Sequence, residues 1–173
     1  MTAARQKKKQ YWFGLAAIAA LLVYVGLVFV SAAVIAAGPA ASADERIVVD
    51  WHTGLAIDGY DPVAYFTDGK PLQGSPNLEL RKSNVIWRFI NVGNRAAFAA
   101  APNVYMPQYG GYDPIGVARG LAVAGNPNVW LIQGQRLFLF YDSARRQKFA
   151  GGPNRVIAAA DRKWTDVQRT ITP

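Results

Sequence analysis

The chain has 173 residues, no cysteine, one histidine and a formal net charge of +8. With 51% hydrophobic and 17% charged residues, it is too apolar for a disordered polar tail and suits one compact domain joined to an unusually apolar segment. A disulfide framework and the Cys/His sets that hold zinc or copper are excluded.

At the front, residues 1–10 carry Arg5, Lys7, Lys8 and Lys9 and no acid, whereas residues 11–37 carry no charge. As a helix those 27 residues would extend ~40 Å at ~1.5 Å per residue, enough to cross a hydrocarbon core of ~30 Å with some tilt. The pattern predicts a transmembrane helix over 11–37, in contact with the lipid bilayer, with Tyr11 and Trp12 at the interface. The basic tail 1–10 then stays cytoplasmic by the positive-inside rule and the rest is exported. A competing reading is a cleaved signal, because Ala41-Ser42-Ala43 fits the small-residue cleavage pattern just before Asp44. Length favours the anchor, since the apolar core of a signal runs only ~7 to 15 residues. Small residues such as Gly14, Ala16, Ala20, Gly26 and Ala33 permit close helix contacts, which points to an integral membrane protein as partner.

Residues 38–43 read as a linker and 44–173 as the globular domain. Its basic excess is C-terminal, with 8 basic and 3 acidic residues in 136–173 against 7 and 8 in 44–135. Arg145, Arg146, Lys148, Arg155, Arg162, Lys163 and Arg169 either meet anionic headgroups or an acidic subunit, or form a solvated helix face. Nucleic acid is not expected as a partner of an exported domain.

Within the domain, residues 47–49 predict a short strand. Residues 78–81 and 85–90 predict a hairpin about 82–84, and 131–132 with 137–141 a second about 133–135. Asn94 is the predicted cap of a helix over 95–100, and Asp113 of one over 114–119 that stops at Gly120. Further helices are expected over 143–150 and 153–163. The sum is an α+β domain, a small antiparallel sheet with packed short helices around one core.

One tetrapeptide occurs twice, as Gly59-Tyr60-Asp61-Pro62 and as Gly111-Tyr112-Asp113-Pro114. In each copy Asp precedes Pro and a short apolar run, the signature of a helix start with Asp as N-cap and Pro at the first helical position. No longer repeat is visible in the sequence. If the two turns face each other, a pocket forms between them from two carboxylates and up to five tyrosines: Tyr60, Tyr65, Tyr105, Tyr109 and Tyr112.

Residues 54–66, Gly69-Lys70, Gly74-Ser75, Pro107-Gln108-Tyr109-Gly110-Gly111-Tyr112 and the closing Ala160-Asp161-Arg162-Lys163-Trp164 together resemble the bacterial exported YHS-domain family over about residues 54–164. The resemblance implies a small extracytoplasmic α+β domain; with the apolar run over 11–37, the expected place is the periplasm, with the domain tethered to the inner membrane or, on the alternative, released by cleavage near Ala43. The resemblance also implies a suggested metal-binding role and no established enzymatic activity. This chain departs from the family where members read Cys-Ala after the second Gly-Tyr, because it has Asp113-Pro114.

The residues bear out little dedicated chemistry. His52 stands alone, which suits a surface or structural role. Asp58, Asp61 and Asp113 with tyrosine hydroxyls form an oxygen set open to a hard cation, yet their spacing matches no EF-hand loop, and the favoured reading of Asp61 and Asp113 is as plain N-caps. No nucleophile elbow, phosphate loop or haem attachment motif occurs. The expectation is therefore a membrane-anchored binding or accessory module without catalytic residues or cofactor, with a metal- or small-ligand-binding domain as the alternative. Its ligand-binding candidates are Asp58, Tyr60, Asp61, Tyr105, Gln108, Tyr109, Tyr112 and Asp113. The aromatics Trp87, Phe89, Phe98, Trp130, Phe138, Phe140 and Trp164 are assigned to the core.

Overall fold

Four strands and six helices order the described residues, and they fall into two matching halves. The computed structural model describes residues 46–171; the predicted basic tail, the membrane helix over 11–37 and the linker lie outside the described residues. Among the described residues no helix is long and apolar enough to cross a membrane. The class is α+β as expected, but two two-stranded antiparallel sheets replace the single expected sheet.

The first half begins with a 3-10 turn, Ile57–Gly59, and a one-turn helix α1 (Ala64–Thr67). Strands β1 (Ser75–Lys82) and β2 (Val85–Phe89) follow, then α2 (Val92–Ala100) and α3 (Pro102–Tyr105). The second half repeats the order with a 3-10 turn, Gln108–Gly111, then α4 (Pro114–Val117), β3 (Asn126–Gln133), β4 (Arg136–Phe140), α5 (Ser143–Ala150) and α6 (Pro153–Thr170). Equivalent positions lie 51 residues apart from the hairpins onward, as Phe89 to Phe140 and Phe98 to Phe149, and 52 apart at the turns, as Asp61 to Asp113. The backbone bonds repeat as well. Gly74 N–H donates to Gly59 O at 2.9 Å and Gly125 N–H to Gly111 O at 3.0 Å, while Asp61 and Asp113 N–H donate at 2.8 Å to Leu72 O and Val123 O. The duplication thus extends far beyond the tetrapeptide that marks it in the sequence.

Both hairpins turn through two left-handed residues, Ser83-Asn84 and Gly134-Gln135. Two positive-φ residues in succession give a turn whose twist matches that of the strands it joins. Each hairpin also has one register irregularity at the same place, between Ser75 and Glu79 and between Asn126 and Trp130.

The expected strand over 47–49 is reduced to a single bridge between Val49 and Ala56. It still joins the two 3-10 turns, because Val48 N–H donates to Gly110 O at 2.8 Å and Ile57 N–H to Val48 O at 3.1 Å. Two predicted caps move. Asn91, not Asn94, caps α2 by accepting Asn94 N–H at 2.7 Å, since the helix starts earlier and leaves the Asn94 amide free to turn inward. Asp61 is not the cap of α1, which opens three residues later with Val63 in the cap position. Asp113 caps α4 as predicted. Helix α6 continues to Thr170, beyond the expected end at 163, because Ala160, Trp164 and Val167 extend its apolar stripe at helical spacing.

Two apolar clusters replace the one expected core. The first gathers Ile57, Tyr65, Trp87, Phe89 and Phe98, together with Leu137 and Leu139. The second gathers Tyr109, Phe138, Phe140, Phe149 and Val167. Alternation along a strand sends successive side chains to opposite faces, so β4 serves both clusters, Leu137 and Leu139 in one and Phe138 and Phe140 in the other.

Candidate functional site

Every predicted site residue can be placed, and the cavity beside the second 3-10 turn takes no residue from the first repeated turn. Asp61 and Asp113 are fully buried and committed to the fold. Asp61 Oδ1 accepts Val63 N–H at 2.8 Å, and its Oδ2 accepts Ile90 N–H at 2.9 Å and Asn94 Nδ2 at 2.7 Å. Asp113 Oδ1 accepts Ile115 N–H at 2.9 Å, and its Oδ2 pairs with Arg145 Nη1 at 2.6 Å. Asn94 and Arg145 are themselves equivalent positions of the two halves. Asp58 is exposed at a left-handed position, where partial burial, with the charge of Asp50 second, holds its carboxyl above the usual range.

The tyrosines go three ways. Tyr60 takes a hydrogen bond from Asn128 Nδ2 at 3.0 Å, and the buried Tyr65 hydroxyl donates to Pro127 O at 2.9 Å, so both reach the start of β3. Tyr105 packs edge-on against Phe66, ring centroids 5.6 Å apart. Tyr109 and Tyr112 meet Trp164 of α6 at 5.7 and 6.1 Å. His52 is exposed and stacked on Trp51. Among the described residues no three His, Asp or Glu side chains gather as they would for a metal ion.

The cavity beside the second 3-10 turn has a volume of about 270 Å³. Met106, Pro107 and Trp164 supply apolar lining, and Gln108, Arg136 and Asp161 supply polar lining. Of the predicted ligand-binding candidates it holds only Gln108 and Tyr109. Their partners were not among the predicted site residues: Arg136 opens β4 and reads as a strand-end charge, while Asp161 and Trp164 stand in the closing motif quoted above, where Trp164 reads as core.

These groups form one hydrogen-bonded chain. Arg136 Nε donates to Gln108 Oε1 at 2.8 Å, Arg136 Nη2 approaches Asp161 Oδ1 at 3.4 Å, and the Tyr109 hydroxyl donates to the same Oδ1 at 2.8 Å. The guanidinium carbon stands 5.4 Å from the centroid of the Phe138 ring, a cation–π contact that holds its plane. Burial, then the bond to Asp161 and its charge, push the Tyr109 hydroxyl well above its ordinary pKa, with Arg136 opposing. Tyr109 therefore stays a neutral donor to an acceptor carboxylate at physiological pH.

The first half provides an internal comparison. The counterparts of Gln108, Tyr109 and Arg136 are Ala56, Ile57 and Val85, all apolar, and Ala56 and Ile57 are packed in the first cluster. The repeated architecture therefore folds without polar groups at these places, and the second half carries them beside an open cavity. Compared with protein-family models, with curated proteins and with solved structures, the chain matches none.

Proposed function

We propose that this chain is a membrane-tethered, extracytoplasmic binding module whose recognition site is the cavity beside Gln108, Tyr109, Arg136, Asp161 and Trp164. The observation that carries the reading is the Arg136–Asp161 pair, whose side chains are 34% and 50% exposed at the cavity, while the counterpart of Arg136 in the first half is the apolar Val85. A charged pair left half in water contributes little to stability, and a concave site with a few convergent polar groups is the usual form of a small-ligand site. The tether rests on the uncharged run over 11–37 behind its basic flank, and kinship with YHS domains rests on the motifs over residues 54–164. The partner on this reading is a small ligand first and an integral membrane protein second, the latter favoured by the small residues of the apolar run.

Two readouts test the proposal. A reporter that fluoresces only in the cytoplasm, fused after Pro173, stays dark; bright cells refute export. Small aromatic and carboxylate fragments, titrated against the full chain in detergent, change the Trp164 emission, isolated by subtracting a Trp164→Phe variant. If no fragment changes it, the cavity is not a binding site.

A further inference from the structure

Resting on that reading, we propose that the cavity binds a free α-amino acid as its zwitterion. Arg136 spends Nε on Gln108 and leans Nη2 toward Asp161 at 3.4 Å, so Nη1 is uncommitted among the described residues. Asp161 receives Tyr109 and Arg136 on Oδ1, so its Oδ2 is likewise uncommitted. A fixed cation and a fixed anion thus stand side by side at an open cavity, each with hydrogen-bonding capacity in reserve.

That arrangement selects by charge. A simple anion drawn to the Arg136 fork meets the Asp161 carboxylate, which Tyr109 holds in place, and an amine drawn to Asp161 meets the guanidinium. Like charges that close are repulsive. A ligand with carboxylate and ammonium on one carbon satisfies both together, through charge-assisted hydrogen bonds to each. The cavity of about 270 Å³ lies just under the ~300 to 1,000 Å³ of sites for drug-sized ligands, which suits a single amino acid better than a peptide. Met106, Pro107 and Trp164 provide the apolar surface for its side chain. An apolar side chain is accordingly preferred, since no further charge lines the cavity.

The experiment is calorimetry on the full chain in detergent with L-leucine and its two half-analogues, 4-methylpentanoate without the amine and 3-methylbutylamine without the carboxylate. L-leucine binds saturably, and each analogue binds at least about tenfold more weakly, as when one side of a charged hydrogen-bonded pair is removed. Arg136→Gln and Asp161→Asn each lose about tenfold or more for L-leucine. The melting temperature of the unliganded variants barely moves, because the pair is exposed. Analogues that bind as well as L-leucine overturn the zwitterion inference, and so does unchanged L-leucine binding in both variants. If fragments change the Trp164 emission but L-leucine produces no heat, the inference fails and the broader reading survives. If neither does, both fail.

Discussion

Asp61 and Asp113 hold the same place in their halves, and the two halves satisfy them differently. Asp61 is met by a neutral amide, Asn94, and by a backbone N–H, whereas Asp113 is met by the Arg145 guanidinium, itself 30% exposed in its side chain. Removing one partner of a buried ion pair costs ~3 to 5 kcal/mol because the other charge is left without compensation, and the partial exposure of Arg145 places the effect at the low end. Arg145→Ala is expected to destabilise the domain by ~2 to 3 kcal/mol. Arg145→Asn costs clearly less, since the first half already meets its aspartate with asparagine. Chemical denaturation of the two variants checks the order; an Arg145→Asn no better than Arg145→Ala refutes the equivalence of the two sites. The sequence shows both Asp-Pro pairs and the reason for a cap at Asp113, but not the partners. Asn94 lies 33 residues and Arg145 32 residues from its aspartate, and nothing local specifies such a distance.

The hairpins and the helices α2, α5 and α6 are legible because their signals are local, turn residues between apolar runs and a proline at the start of α6, whereas the Asn91 cap and the one-turn helix α3 are not read from the sequence. Nor is the duplication, because equivalent positions share a demand rather than an identity. Gly74 and Gly125 are an exception that makes the demand visible. At Gly74 a Cβ would fall against the Arg88 backbone and 2.6 Å from Phe89 N, and at Gly125 it would lie 2.7 Å from both Gly111 O and Leu139 Cβ. The chain here runs so close to its own hairpin that only a hydrogen fits. Gly74→Ala and Gly125→Ala should each cost ~1 to 3 kcal/mol as overpacking of a tight contact. Gly151→Ala serves as the control, with an ordinary φ of −73° and no atom nearer than 3.6 Å, and is neutral or stabilising by up to ~1 kcal/mol. Melting temperatures of the three variants decide it. A loss at Gly151 equal to the other two would mean that backbone freedom, not close approach, sets the cost. The candidate site was half legible for the same reason. Gln108 and Tyr109 sit in a conspicuous motif, whereas Arg136 becomes a site residue only when α6 brings Asp161 and Trp164 to it.

At the scale of the whole domain, β4 is the strand that makes two repeats into one cooperative unit. Its equivalent in the first half, β2, buries Trp87 and Phe89 but keeps Arg88 only half-buried, paired with Glu79 at 2.9 Å. The corresponding residue of β4 is Leu139, fully buried in the first cluster, while its neighbours Phe138 and Phe140 fill the second. The halves therefore stack in series: the back of the second hairpin closes the core of the first half, and the polar back of the first hairpin ends the stack. Leu139→Ala removes a side chain from the first cluster without touching the second, at an expected cost of ~2 to 5 kcal/mol. Because β4 belongs to both, that loss should lower the stability of the two halves equally. Hydrogen exchange in residues 85–89 and 136–140 provides the measurement, and its prediction is a common drop in protection across both stretches. Protection lost in 85–89 but kept in 136–140 would show two independently unfolding repeats, and the serial stacking through Leu139 would be wrong.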